Sequence, residues 1–232
     1  MDKTQKKEWD ESYQKRDNFL FYPHEEVIRF VSKYIRKRIG FGEFQDVVNC
    51  CPPPKVLDLG CGIGRHIIYC HEMGLDAYGV DLSEQAVSIA VEWAKNQGMD
   101  KPERKIVQAD VRSLPWEDNY FEFVLSHGVL DSMHFDIARA ACLELSRVLA
   151  KGGRFYCDLV SGDNSAHARE YANEEIVGDS HENGTVQSYF NFKKINELVK
   201  GLFDIEEAIL VRRENLLIGG FSSRYHLTLK RN

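Results

Sequence analysis

The run KVLDLGCGIGRH at 55–66 constrains this chain more than any other stretch. Val56, Leu57, Asp58 and Leu59 read as a buried strand. Gly60, Gly62 and Gly64 read as a turn, and the residues after them as the start of a helix. Glycine in such a turn permits positive φ and lets a ligand come close to the backbone. A second acid-ended strand, DAYGVD, follows and puts Asp81 21 positions after Gly60. At the tip of the neighbouring strand, a carboxylate at that distance is placed to accept hydrogen bonds from a ribose diol. The spacing speaks against a dinucleotide. Its G-x-G-x-x-G/A fingerprint needs Gly or Ala at the sixth position, which counted from Gly60 or Gly62 is Arg65 or Ile67. A nicotinamide-dependent oxidoreductase is disfavoured on this ground.

From Lys55 on, strand candidates at 55–60, 76–81, 104–110, 121–127 and 153–160 alternate with helix candidates at 63–73, 84–97 and 134–149. Ser83 is placed to cap the second of these helices. Such alternation predicts a parallel sheet with right-handed crossovers. The runs 205–213 and 224–230 lie too close together for another crossover helix and are expected to pair antiparallel. A further helix is expected near 192–201. Upstream, 4–16 is polar, with Trp9 and Tyr13 one helical turn apart. Pro23 opens an amphipathic helix carrying Val27, Ile28, Phe30, Val31, Tyr34 and Ile35. CCPPP at 50–54 is a stiff connector. The expected division is an N-terminal helical cap and connector at 1–54 and a cofactor-binding domain at 55–232. A polar stretch at about 161–190 interrupts that domain as a lid insertion.

VLDLGCGIGR at 56–65 resembles the first motif of the class I S-adenosylmethionine (SAM)-dependent methyltransferases. GVDLS at 79–83 resembles the second, whose acid holds the SAM ribose, and VQADV at 107–111 the third, whose acid accepts from the adenine amino group. FEFVLSHGVL at 121–130 resembles the fourth, at the active edge of the sheet, and SRVLAKGG at 146–153 the turn before strand five. Five motifs in order are far more specific than any one of them. The resemblance implies an α/β fold: a Rossmann-like seven-stranded, mostly parallel sheet with helices on both faces and an antiparallel last strand. It implies SAM as cofactor and S-adenosylhomocysteine as its product. Around the cofactor it places Asp58, Gly60, Cys61, Gly62, Gly64, Asp81, Leu82, Asp110, Val111 and Ser126. Trp9 and Tyr13 share a helix face and are expected to close over the methionine end.

Methyl transfer from a sulfonium is an in-line displacement that mainly asks for alignment and exclusion of water. A base is needed only where the acceptor must lose its proton early. His127, at the tip of strand four, is the first candidate for that role, and lining the pocket without proton transfer is its other reading. His181 is a second candidate, and Tyr22, Tyr171 and Tyr189 are candidates for shaping the acceptor site. His66 is expected simply to pack at the top of its helix. Asp131 and His134 form an i, i+3 pair, but helix capping by Asp131 explains it more simply than a metal, and no metal site is expected.

The chain has 232 residues, is 43% hydrophobic and carries a formal charge of −6, enough for one large α/β domain and unlike a general nucleic-acid binder. It lacks the Asn/Asp-Pro-Pro-Tyr run of DNA amino-methylating enzymes and the Pro-Cys nucleophile of the cytosine-C5 type. Its six cysteines show no C-x-x-C or zinc-like spacing and read as free thiols of a reducing compartment. The first residues, MDKTQKK, have no apolar core, and no apolar run approaches the ~20 residues of a spanning helix. A cytoplasmic protein with no nucleic-acid or membrane partner is therefore expected. It would methylate oxygen or nitrogen of a small molecule. A protein side chain as acceptor, and a non-catalytic module that binds SAM or its product, are the alternatives.

Overall fold

The structure, a computed structural model, describes residues 5–16, 19–48, 51–164, 166–178 and 182–232. Helices α1 (Lys6–Lys15) and α2 (Glu25–Tyr34) come first, followed by a hairpin of β1 (Arg36–Gly40) and β2 (Glu43–Asp46). The first 54 residues are thus not a purely helical cap. The hairpin's mostly exposed side chains gave no alternation to read. Helix α2 begins two residues after Pro23, with the His24 ring nitrogen Nδ1 accepting from the Glu26 amide at 3.3 Å as its cap.

The central elements are β3 (Lys55–Leu59), α3 (Arg65–Glu72), β4 (Asp76–Asp81), α4 (Glu84–Asn96), β5 (Ile106–Gln108), β6 (Phe121–Ser126), α5 (Phe135–Val148) and β7 (Leu149–Val160). A small hairpin follows, β8 (Glu174–Ile176) with β9 (Val186–Ser188), then α6 (Phe192–Val199), β10 (Phe203–Glu214) and β11 (Phe221–Arg231). Seven strands form one sheet in the order β10-β11-β7-β6-β3-β4-β5. Strands β7, β6, β3, β4 and β5 pair parallel, while β11 runs antiparallel to both β7 and β10. The expected antiparallel pairing of the last two runs is found. The strand expected at 104–110 is only three residues long, because Pro102–Arg104 forms a 3-10 turn just ahead of it.

Strand periodicity explains how both faces are covered. Leu57, Leu59, Tyr78 and Val80 join Phe155, Cys157 and Leu159 in one core, packed under Ala138, Ala141 and Leu145 of α5 and Ile195 and Leu198 of α6. Their sequence neighbours Val56, Ala77 and Tyr156 point the other way, against Val27, Phe30 and Val31 of α2, Ile67 of α3 and Ala90 and Ala94 of α4. Successive residues of a strand face opposite sides, so unbroken apolar runs are what a sheet buried on both faces requires. The parallel strands therefore all end on one edge, and their C-terminal tips hold Asp58, Asp81, Ser126 and Asp158.

Candidate active site

The glycine loop follows β3 directly. The Cys61 amide donates to the Val80 carbonyl at 2.9 Å, tying the loop to β4. Gly60 (φ +66°) and Gly62 (φ +52°) lie in left-handed backbone. A Cβ at Gly60 would stand 2.4 Å from a Val129 methyl, and one at Gly62 2.7 Å from the Tyr13 hydroxyl. No side chain fits at either position. The Asp81 carboxylate accepts from the Gly62 amide at 2.8 Å and from the Ser83 amide at 2.9 Å, so it shapes the loop as well as facing the cavity. Burial pushes its pKa up to about 6.

A cavity of about 290 Å³ opens on this edge. Of the residues expected around the cofactor, Gly60, Cys61, Gly62, Asp81, Leu82, Asp110, Val111, Trp9 and Tyr13 line it. Asp58, Gly64 and Ser126 are not on its wall. Asp58 stands behind it, 3.4 Å from Nδ1 of His66, and Gly64 is the N-cap residue of α3. Ser126 is buried with no hydrogen-bond partner for its hydroxyl. Asp110 is held by the amide, Nε and Nη2 of Arg112 at 2.9, 2.9 and 2.5 Å, which keeps its carboxyl below the usual range.

Helix α1 roofs the cavity through three contacts. Its Asp10 accepts from the Ser83 hydroxyl at 2.6 Å, on the residue that caps α4. Just ahead of α1, Gln5 donates to the Gly184 carbonyl at 2.7 Å and accepts from the Val186 amide at 3.2 Å. The roof is thus latched to α4 on one side and to the β8–β9 hairpin on the other.

His127 lies on the cavity wall, as expected, but with a particular set of partners. Arg65 Nη2 is 3.2 Å from its Nδ1. A guanidinium can only donate, so Nδ1 accepts and the proton sits on Nε2, which faces Asp158 Oδ2 at 3.4 Å. Burial lowers the His127 pKa to about 3. The His24 ring rests on it at 4.0 Å between centroids, and burial lowers that pKa to about 4. Both imidazoles are therefore neutral at ordinary pH. Nearby, Tyr156 and His226 share a 2.9 Å hydrogen bond.

Several expectations are corrected. His66 does more than pack at its helix top. It lines the cavity, its Nε2 accepts from the His24 amide at 3.3 Å, and Nδ1 faces Asp58. Asp131 does not cap α5. It is 1% exposed and accepts from Arg224 at 2.6 Å and the Val160 amide at 2.8 Å. The α5 start is served by Glu174 instead, which accepts from the Phe135 amide at 2.6 Å. Tyr22 is 85% exposed and not on the cavity wall. Tyr171 and Tyr189 are off it too, packed with His167 at 4.0 and 4.8 Å between ring centroids. His181 lies outside the described residues. No group of three potential metal ligands occurs among the described residues, and none of their helices is long and apolar enough to cross a membrane. Sequence reasoning missed Arg65, Ile63, Val129, Met133, Ile137, Leu20 and Glu182 on the wall. It also missed Asp158, although an acid inside the apolar run RFYCDLV was a visible break in pattern.

A family profile described as a methyltransferase domain matches residues 57–157, the stretch from β3 to β7 that carries the loop, Asp81 and Asp110. Over that stretch the chain is similar to the class I SAM-dependent methyltransferases. It is 29% identical over 107 residues to the uncharacterized methyltransferase YcgJ of Bacillus subtilis, covering 46% of this chain and 41% of that one. It is 24% identical over 160 residues to the eEF1A lysine and N-terminal methyltransferase of Mus musculus, covering 64% of this chain and 20% of that one. The chain thus spans well under half the length of these curated relatives. A solved SAM-dependent methyltransferase of Methanosarcina mazei shares the fold, with a TM-score of 0.64 at 18% identity over 78% of this chain and 94% of that one. The bare loop at Gly60 and Gly62 and the buried strand-tip acid Asp81 suit the cofactor of this family.

Proposed function

We propose that this protein transfers a methyl group from SAM to an oxygen or nitrogen of a small-molecule acceptor. SAM supplies a methyl group on a positively charged sulfur. Asp81 would hold the ribose and Asp110 the adenine amine, with Leu82 and Val111 as apolar walls. The glycine loop brings backbone amides to the methionine end, and Trp9 and Tyr13 exclude water above it. The observation that carries the small-molecule reading is the roof: the latched α1 leaves a walled cavity rather than an open groove for a chain to lie in. We assign His127 to the wall on the acceptor side. A base needs a free lone pair, and Nδ1 of His127 already accepts from Arg65. Alignment in a dry site then carries the reaction.

Free buried thiols at Cys61, Cys70, Cys142 and Cys157 support placing the protein in a reducing, cytoplasmic compartment. A protein acceptor is the other reading, which the mouse relative's name supports for that protein. Incubation with methyl-labelled SAM and either a metabolite pool or a protein extract separates the two. Label in a small molecule supports the proposal, and label confined to protein overturns it. SAM binding without transfer in either mixture would favour a non-catalytic binding module.

A further inference from the structure

One cation on the cavity wall makes no ion pair among the described residues: Asp58 and Asp158 favour its charge only from a distance. Arg65 opens α3 directly after the glycine loop and is half-buried against the cavity. Among the described residues, no carboxylate oxygen lies within 4.0 Å of its guanidinium, and its hydrogen-bond partner is the neutral imidazole of His127. The other half-buried arginines spend their donors on carboxylates or on carbonyl oxygens, Arg139 on those of Leu198 and Lys200 and Arg231 on those of Asn119 and Leu149. Arg224 meets Asp131 and Asp158, Arg147 meets Glu144 and Asp118, and Arg154 meets Glu206. A guanidinium has five N–H donors in a planar fork that matches a carboxylate two bonds at a time. One bond to His127 leaves most of that fork unused. Burial already works against the charge of Arg65, so a facing anion would recover what desolvation costs.

Position narrows what that anion is. Asp81 and Asp110, the acids assigned to the nucleoside, stand at the tip of β4 and just beyond β5. Arg65 and His127 stand on the other side, between the loop after β3 and the tip of β6. That is where the methionine end of the cofactor and the acceptor would meet. We propose that Arg65 is the anion-binding residue of this cavity and takes a carboxylate, either that of the cofactor's methionine end or one carried by the acceptor. The inference rests on the methyltransferase reading. It makes Arg65 a determinant of which ligands the cavity accepts: those presenting an anionic group beside the reacting sulfur.

The test is calorimetry on the full chain with two nucleosides. S-adenosylhomocysteine carries the carboxylate, while 5′-methylthioadenosine has the same nucleoside and sulfur without it. If the cofactor supplies the anion, Arg65→Met weakens S-adenosylhomocysteine about 10–100-fold and leaves 5′-methylthioadenosine within about twofold, and Arg65→Lys recovers part of the loss. If the acceptor supplies it, both nucleosides bind Arg65→Met normally. Acetate or inorganic phosphate, titrated at constant ionic strength into the S-adenosylhomocysteine-saturated protein, then raises the melting temperature of the wild type and not of Arg65→Met. Unchanged nucleoside binding together with no anion response overturns the inference while the methyltransferase reading stands. Failure of the folded wild type to bind either nucleoside overturns both. Far-UV circular dichroism confirms that each variant is folded.

Discussion

Asp81 does two jobs at once. It fixes the loop through the Gly62 and Ser83 amides, and it faces the cavity where a ribose would donate to it. Its pKa is pushed up to about 6 by burial, so near pH 5 much of it is protonated. A diol donating to the carboxylate favours the charged form and lowers that pKa on binding. Binding then releases a proton, and affinity for S-adenosylhomocysteine rises as pH goes from about 5 to 7. Asp81→Asn should bind more weakly, by about 1.5–3 kcal/mol for the lost charge-assisted bond, and its pH dependence over this range should be flat. Calorimetry at three pH values checks this; an Asn variant with the wild-type slope would mean another group titrates. Asp110 differs because Arg112 already neutralises it, so Asp110→Ala should weaken SAM and its product equally and by less than Asp81→Asn does. For His127, a pKa near 3 predicts that its protonation leaves the rate untouched from pH 5 to 8. His127→Asn should keep kcat within about tenfold. A loss of about 10²–10⁴-fold would instead be the mark of a base.

At the scale of elements, how much was legible follows the length of the pattern. Strands β3, β4, β6 and β7 and helices α4 and α5 announce themselves, because a sheet buried on both faces needs long apolar runs. The loop was legible because its chemistry sits in consecutive residues. The side proposed for the acceptor was not. His24, Arg65, His127, Asp158 and His226 come from five separate elements, and only the sheet order brings them together. The β1–β2 hairpin lacked any buried stripe, and the latch between α1 and the β8–β9 hairpin joins residues about 180 positions apart. That latch carries a prediction. Helix α1 is short, mostly polar and buries only Ser12, so its docking depends on the contacts at Asp10 and Gln5. Gln5→Ala with Asp10→Ala should raise amide exchange across α1 and 182–188, leave the sheet strands protected, and weaken S-adenosylhomocysteine binding. Exchange in α1 as slow as in β3 would show that the roof needs neither contact.

The whole molecule hangs its one reversed strand on the active edge through a buried charge cluster. Arg224 of β11 donates to Asp158 of β7 at 2.7 Å and to Asp131, in the segment between β6 and α5, at 2.6 Å. Asp158 also accepts from the Gly128 amide at 2.7 Å, and Asp131 from the Val160 amide at 2.8 Å. The arginine therefore ties three parts of the chain together directly behind His127. Both carboxylates are 1% exposed, so removing their cation leaves uncompensated buried charge, which costs about 3–5 kcal/mol. Arg224→Met should lower the melting temperature by roughly 10 °C in a chain of this size. The pH dependence identifies the cause. Burial already pushes the Asp131 pKa up to about 6, and a carboxyl raised in the folded state subtracts stability as pH climbs from its unfolded value through that pKa. Without Arg224 both carboxyls shift upward, Asp131 from about 6 and Asp158 from below the usual carboxylate range, where Arg224 helps to hold it. The deficit of Arg224→Met relative to wild type should therefore be larger at pH 8, where both are forced to ionise, than at pH 5, where protonation relieves them. Adding Asp131→Asn and Asp158→Asn to Arg224→Met should recover part of the loss at pH 8. Thermal denaturation of the three proteins at both pH values decides the matter. An equal deficit at pH 5 and 8, unchanged by the two asparagines, would place the damage in lost packing of the arginine stem and not in the charges it holds.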